Sequence, residues 1–264
     1  MNRSFHPSAM RVAPLVIPRL ALMDGGRGSS RFTRTAKVER NYASQLRKIA
    51  KRIGDLVKEM YVPDDPVVAN AIELALDRYA RVIEPWARAV GKRMVAEIDR
   101  HDKQSWREHS AEMSMLMQEQ LNNTEVGWLT QQRLADQVQL ITSLPREAAE
   151  RVHKLTLEGL TQGTRASEIA AEIMRSGEVS KSRANLIART EVSRTSTEFT
   201  RARAEAVGST HFVWRTSGDA DVRPSHARLN GKTFRWDQPP ECDPGHHALP
   251  GSIWNCRCAA EPVF

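Results

Sequence analysis

The reactive side chains of this sequence are concentrated near its C-terminus. Two of its three cysteines, Cys256 and Cys258, stand one residue apart in the segment NCRC. A tetrahedral zinc site takes four Cys or His ligands, and its cysteines are usually separated by two to four residues. The spacing of Cys256 and Cys258 is therefore unusual, and the sequence does not select one ligand set. The candidate ligands are His226, Cys242, His246, Cys256 and Cys258.

Three other interpretations of the cysteines stay open. A disulfide between Cys242 and either tail cysteine needs an oxidising compartment and leaves one thiol over. A nucleophilic cysteine needs a lowered pKa, which Arg257 and the histidines could provide. Reduced thiols could also simply pack in the core of a small module. We expect this packing and no cofactor, with zinc as the alternative.

An enzymatic alternative uses the same region. His226 and Asn230, with the acidic residues near them, allow a metal-dependent nuclease or hydrolase. His-x-x-x-Asn is a weak signal, because Asn230-Gly231 is also a typical turn sequence. We therefore expect no enzymatic activity and keep a metal-dependent nuclease or a toxin-like module as the alternative.

The composition favours a helical protein. The chain has 264 residues, of which 40% are hydrophobic, 27% charged and 6% aromatic. This content supports a core but fits solvated helices better than a β-sandwich or barrel. No run of about 18 apolar residues occurs, so we expect no membrane span.

The positive charge lies mainly at the N-terminus. The net charge of the chain is +7, and residues 1–38 account for +6 of it. Pro, Gly and Ser in the same stretch argue against packed structure. We expect a flexible arm over residues 1–36 that neutralises DNA phosphates without reading bases. Its candidate DNA contacts are Arg3, Arg11, Arg19, Arg27, Arg31, Arg34 and Lys37.

Residues 37–208 read as a helical body. Apolar residues recur every three or four positions from Val38 to Met60, and again from Ala71 to Ile98 with a break at Pro85. Further helices are expected over 128–140, over 145–160 behind a cap at Ser143, over 167–174, and over 183–207. Gly208 should end the last of them. Ion pairs at three- and four-residue spacing predict that this last helix has a solvated face.

The final part, residues 209–264, has a different pattern. HFVWRTS is a short run of strand-forming residues, and Phe234 and Trp236 alternate after the Asn230-Gly231 turn. We predict a small α+β module rich in loops. The fold class is therefore mainly α, with long amphipathic helices followed by this short-strand module.

These segments together resemble the C-terminal domain of the Mu-type phage head morphogenesis proteins. The resemblance covers about residues 183–258 and depends on the order of several short motifs: IARTE on a helix, then DVRPSHARLNG, then NCRC at the end. The matching positions that we single out are Arg189, Glu191, Asp221, Arg223, His226, Gly231, Asn255, Cys256, Arg257 and Cys258.

The resemblance implies a minor capsid protein that enters the prohead in a few copies. Its partners would be the portal protein oligomer and packaged double-stranded DNA, bound without sequence specificity, with the major capsid or scaffold protein as a further partner. It would lie inside the capsid near the portal vertex and reside in the host cytoplasm during assembly. Such proteins act in head assembly and genome delivery.

The tail cysteines give one geometric expectation. In an extended segment, alternate side chains point to opposite faces. We therefore expect Cys256 and Cys258 to point to opposite sides, with at least one of them buried, and to close the module near His226.

Overall fold

A computed structural model describes residues 35–62, 66–110, 119, 126–162 and 166–264. Its helices are α1 (Ala36–Met60), α2 (Pro66–Val82), α3 (Glu84–Ser110), α4 (Gly127–Gln162), α5 (Ala166–Met174), α6 (Ser176–Ala206) and the one-turn α7 (Pro224–Ala227). Its strands are β1 (His211–Arg215), β2 (Thr233–Arg235), β3 (Glu241–Asp243), β4 (His246–His247) and β5 (Ala259–Val263). The predicted fold class, mainly α with a small α+β C-terminal module, is confirmed.

The long helices share one hydrophobic core. Leu46, Ile53 and Val57 of α1 are fully buried at helical spacing, and the apolar faces of α2 to α6 complete the same cluster. Pro85 lies in the first turn of α3, where its missing amide costs no hydrogen bond. It therefore separates α2 from α3, as the sequence indicates.

The prediction of two helices over 128–140 and 145–160 is wrong. The structure has one helix, α4, which runs through Pro145. Ser143 does not cap a new helix; its hydroxyl oxygen lies 3.0 Å from the Leu140 carbonyl oxygen and 2.8 Å from Glu147 Oε1, within reach of either acceptor. Burial of Leu144, Ala148 and neighbouring residues offsets the hydrogen bond that Pro145 cannot make.

The last long helix, α6, buries polar and charged residues that its sequence pattern places on an exposed face. It starts at Ser176, before the expected Arg183, and Gly208 follows its end with φ of +83°. Glu191 pairs with Arg194 at 2.8 Å as the spacing predicts, but its side chain is buried. The expectation of a solvated face over these ion pairs is wrong for Glu191, because its carboxylate is turned into the helical core, where Gln137 of α4 donates a hydrogen bond to it.

The residues after α6 form two small sheets. The first has the strand order β2-β1-β5 with antiparallel pairing throughout, and the second is the β3-β4 hairpin. Phe212 and Trp214 alternate inward from β1, and Phe212 lies 4.7 Å from Trp236 between ring centroids. A second hydrophobic cluster forms here and includes all three cysteines.

Several predictions fall outside the described residues. The six arginines of the predicted arm all precede residue 35, whereas Lys37 lies exposed in the first turn of α1. The boundaries of the arm, the helical body and the module therefore remain predictions. Among the helices that the structure describes, none has the length and apolar content required to cross a membrane.

Candidate functional site: a buried His-Cys-Cys cluster

The structure brings three of the predicted ligand residues together. His226 lies on α7, and Cys256 and Cys258 lie in the segment that leads into β5. The two sulfur atoms each lie 3.5 Å from His226 Nδ1. The side chains are 2%, 3% and 5% exposed, respectively. Within the described part of the chain, these three residues form the cluster that could hold a metal ion.

The prediction that the two thiols point to opposite sides is wrong, although both are buried. The segment is not extended, because Gly251 and Asn255 adopt positive φ values of +79° and +62° and curl the chain around Cys256. The sulfur of Cys256 accepts the N–H of Gly251 at 3.3 Å and that of Cys258 at 3.5 Å. The curled backbone therefore turns both sulfurs toward the same imidazole.

Gly251 is required at the close approach of this loop to α6. A Cβ at this position would lie 3.0 Å from the carbonyl oxygens of Ser193 and Cys258 and 3.1 Å from Thr197 Oγ1. Its positive φ adds strain for any L side chain. The loop that carries the two cysteines therefore packs directly on the helix.

Polar residues of α6 fix the loop in place. Thr190 Oγ1 accepts the N–H of Asn255 at 3.0 Å, and Thr197 Oγ1 donates to the Pro250 carbonyl at 2.7 Å. Arg194 donates to the Ser252 carbonyl at 2.8 Å. The sequence analysis missed the roles of Thr197 and Arg194, because neither residue type nor spacing indicates which carbonyls they reach.

A buried polar chain links the loop to the helical core. Glu191, which pairs with Arg194, accepts a hydrogen bond from Gln137 Nε2 at 3.0 Å. Gln137 Oε1 in turn accepts the hydroxyl proton of Tyr42 at 2.8 Å. Burial, with Glu191 close by, raises the pKa of Tyr42 above its usual range. The motif residue Glu191 thus connects α1, α4 and α6 with the loop that carries Cys256.

The second ring nitrogen of His226, Nε2, faces Asp243. The ring stands edge-on to Trp214 at 5.4 Å between centroids, and Nε2 lies 3.5 Å from Asp243 Oδ1. The same carboxylate oxygen accepts the hydroxyl proton of Ser225 at 2.7 Å. Asp243 belongs to β3, in a segment outside the motifs that the sequence analysis used, so its position depends on tertiary structure.

The other motif residues surround the cluster at the surface. Arg257 pairs with Asp219 at 2.9 Å and with Asp221 at 3.1 Å. Arg223 donates to the Trp254 carbonyl at 2.8 Å, and Arg189 donates to Asn255 Oδ1 at 2.9 Å. These bonds hold together the loops on either side of a small cavity that reaches the His-Cys-Cys cluster.

Cys242 and His246 lie outside the cluster, so the five-residue ligand set is divided. Cys242 Sγ donates to the His246 carbonyl at 3.3 Å, while the side chain of His246 is exposed. Burial and the nearby Asp243 raise the pKa of Cys242. All three cysteines are free thiols.

The pKa values of Cys256 and Cys258 are shifted in opposite directions. The hydrogen bond from Cys258, together with those from His226 and the backbone amides, lowers the pKa of Cys256 even though burial opposes this. The same bond and burial raise the pKa of Cys258.

Asn230 and Gly231 serve as turn residues. Gly231 has φ of +78°, and Asn230 Oδ1 accepts the N–H of Thr216 at 3.0 Å. The Asn230 side chain is thus occupied in bridging the turn to the end of β1. This contact accounts for Asn230 as a turn residue, as the Asn-Gly sequence indicates.

The C-terminal part of the chain matches a known protein family. Residues 150–261 match the family described as Phage Mu protein F like protein. A protein of Haemophilus influenzae described as uncharacterized is 35% identical over 130 residues, which cover 49% of this chain. The chain spans 28% of the length of that relative. No solved structure matches the chain.

The family match extends from the C-terminal half of α4 to β5, and it includes every motif position that carries the sequence resemblance. The resemblance is therefore confirmed over residues 150–261, the part of the chain that matches the family described as Phage Mu protein F like protein.

Proposed function

We propose that this protein is a minor, non-enzymatic component of a phage head that associates with the portal protein oligomer inside the prohead. In this position it contacts packaged double-stranded DNA without sequence specificity and acts in head assembly and genome delivery. The major capsid or scaffold protein is a further contact during assembly. The observation that carries the proposal is the family match over residues 150–261.

The charge distribution supports the DNA contact. Residues 1–38 carry +6 of the net charge of +7, and arginines contact phosphate regardless of sequence. Because screening by salt weakens such contacts, retention of DNA by this segment should fall steeply as the salt concentration rises.

The described helices support a role in assembly. Five of them are 17 to 36 residues long and share one core. Such a body offers long, rigid helical surfaces to an oligomeric ring.

The test is co-expression of the full chain with the portal and major capsid proteins, followed by purification of the particles. We expect the chain in a few copies per particle, with cross-links to the portal protein. A variant without residues 1–35 should keep the portal cross-links and lose salt-sensitive DNA retention. Particles that lack the chain, or cross-links confined to the outer surface, would contradict the portal assignment.

The enzymatic alternative has its own measurement. We expect the purified full chain to leave double-stranded DNA intact with Mg²⁺ or Zn²⁺. Cleavage that disappears in a His226→Ala variant, while particles still assemble and infect, would show that the protein is a nuclease.

A further inference from the structure

We propose that His226 Nδ1, Cys256 Sγ and Cys258 Sγ bind a zinc ion, whose fourth ligand is a water molecule from the adjoining cavity. This site goes beyond the proposed role in the phage head and is independent of it. Its argument rests on the spacing of the three atoms, on the groups behind them and on the cavity in front of them.

The spacing of the three atoms fits tetrahedral zinc. With Zn–S of about 2.3 Å and Zn–N of about 2.0–2.1 Å, a tetrahedral angle places sulfur and nitrogen roughly 3.5–3.6 Å apart. Both sulfurs lie 3.5 Å from His226 Nδ1. All three atoms also lie within 4.8 Å of one another, as a shared ion requires. The ligands therefore need little movement to enclose the ion.

Backbone donors prepare Cys256 to act as a thiolate ligand. The N–H groups of Gly251 and Cys258 point at its sulfur at 3.3 and 3.5 Å. Hydrogen bonds of this kind stabilise negative charge on sulfur and are part of the environment that tunes metal–thiolate sites. Zinc binding would release the thiol protons, and the cation would compensate the buried negative charge.

Asp243 fits the role of an orienting carboxylate behind the histidine. Metal-bound histidine usually donates its second ring N–H to a carboxylate or a carbonyl. The buried His226 Nε2 makes no hydrogen bond within the described residues, but Asp243 Oδ1 lies 3.5 Å away. A proton on Nε2 would point toward this carboxylate and leave the lone pair of Nδ1 for the metal. If the two thiols were only packed against His226, the position of the carboxylate beside Nε2 would have no role.

The cavity in front of the cluster supplies the fourth position. His226, Cys256 and Cys258 all line it, and it has about 50 Å³ of room for water-sized molecules. One water needs only about 10–15 Å³ on this measure. Asp221 also lines the cavity, but its carboxylate pairs with Arg257 at 3.1 Å. Three protein ligands and one water are therefore the coordination that the geometry supports.

Zinc at this place would fasten the end of the chain. The ion would join α7 to the segment entering β5, between elements that otherwise meet through a small apolar cluster. Small modules with little core commonly depend on such a cross-link. Removal of the ion should therefore loosen the C-terminal module.

The experiment uses the full chain, expressed in zinc-supplemented medium and purified with reductant but without chelator. We expect elemental analysis to find one zinc per chain, and Co²⁺ exchange to give the intense visible absorption of tetrahedral thiolate ligation. Cys256→Ser and Cys258→Ser should lose most of the metal. Cys242→Ser is the matched control, because Cys242 is an equally buried thiol outside the cluster, and it should keep one zinc.

A second variant distinguishes a metal site from a merely structural loop. Asp243→Asn keeps the three ligands and should weaken zinc affinity by about 10- to 100-fold in competition with a chromogenic chelator. Wild-type protein without zinc and without a Co²⁺ spectrum would overturn the proposal. So would equal metal loss from Cys242→Ser and Cys256→Ser, or a disulfide between Cys256 and Cys258 found by mass spectrometry of the reductant-free protein.

Discussion

Two glycines mark the closest approach between helices α1 and α6. A Cβ at Gly177 would lie 2.9 Å from the Cα of Gly54, and a Cβ at Gly54 would lie 3.2 Å from the Cα of Gly177. Carbon atoms in good contact are about 3.5–4.0 Å apart. Both obstructing atoms are backbone, so no side-chain rotation relieves the overlap. The two helices would have to separate.

Two opposing effects decide what Gly177→Ala does. Replacing glycine by alanine in a helix usually stabilises it by up to about 1 kcal/mol. Overpacking a tight contact costs about 1–3 kcal/mol. Here the added Cβ on α6 would overlap with the backbone of α1. We expect overpacking to win, with a net loss of about 1–2 kcal/mol, or roughly 2–8 °C in melting temperature.

The assay is urea and thermal unfolding of the full chain, followed by circular dichroism. Gly54→Ala should be milder than Gly177→Ala because its overlap is smaller. Gly127→Ala at the start of α4 is the control, since a Cβ there meets nothing within 4 Å, and it should leave the stability unchanged or raise it by up to about 1 kcal/mol. A Gly177→Ala variant as stable as the wild type, or more stable, would refute the reasoning.

Three further predictions concern buried polar groups. Thr190→Val leaves the N–H of Asn255 without its acceptor and should lower the free energy of unfolding by about 1–3 kcal/mol in urea titrations. Thr190→Ser keeps a hydroxyl and should therefore retain most of the wild-type stability. Burial raises the pKa of Asp102 to about 6 despite its pairing with Arg203, against about 3.9 in an unfolded chain, so the folded state should lose stability as the pH rises from about 4 to 6. Asp102→Asn should remove this trend, which amounts to at most roughly 3 kcal/mol, and an unchanged pH dependence would contradict it. Arg203→Met should lower the free energy of unfolding by about 3–5 kcal/mol, because it leaves the buried Asp102 and the half-buried Asp99 without their shared cation. Thermal or urea unfolding measures this loss, and a fully stable variant would argue against the pairing.

The sequence determined the features that depend on local residue patterns. Helical spacing of apolar residues identified α1, and Pro85 marked the boundary between α2 and α3. Gly208 was recognised as the end of α6, since a positive φ at that position favours glycine. The order of short motifs also predicted the match of residues 150–261 to the Phage Mu protein F like family, because those residues lie at fixed places in one module.

Local patterns failed where long-range packing outweighs them. Proline usually interrupts a helix, but α4 continues through Pro145 since both flanking segments bury apolar residues in the same core. Charges at helical spacing suggest a solvated face, but Glu191 is buried because Gln137 and Arg194 satisfy its carboxylate. In both cases the outcome depends on residues far away in the sequence: the other helices of the core for Pro145, and Gln137 for Glu191.

The His-Cys-Cys cluster also depends partly on local sequence and partly on tertiary structure. The sequence supplied His226, Cys256 and Cys258 as candidates, together with Cys242 and His246, and had no basis for choosing among them. Only the tertiary structure decided the choice, because two residues with positive φ curl the tail until both thiols meet His226. Asp243 could not be predicted at all, since its approach to His226 depends on how the β3-β4 hairpin packs against α7.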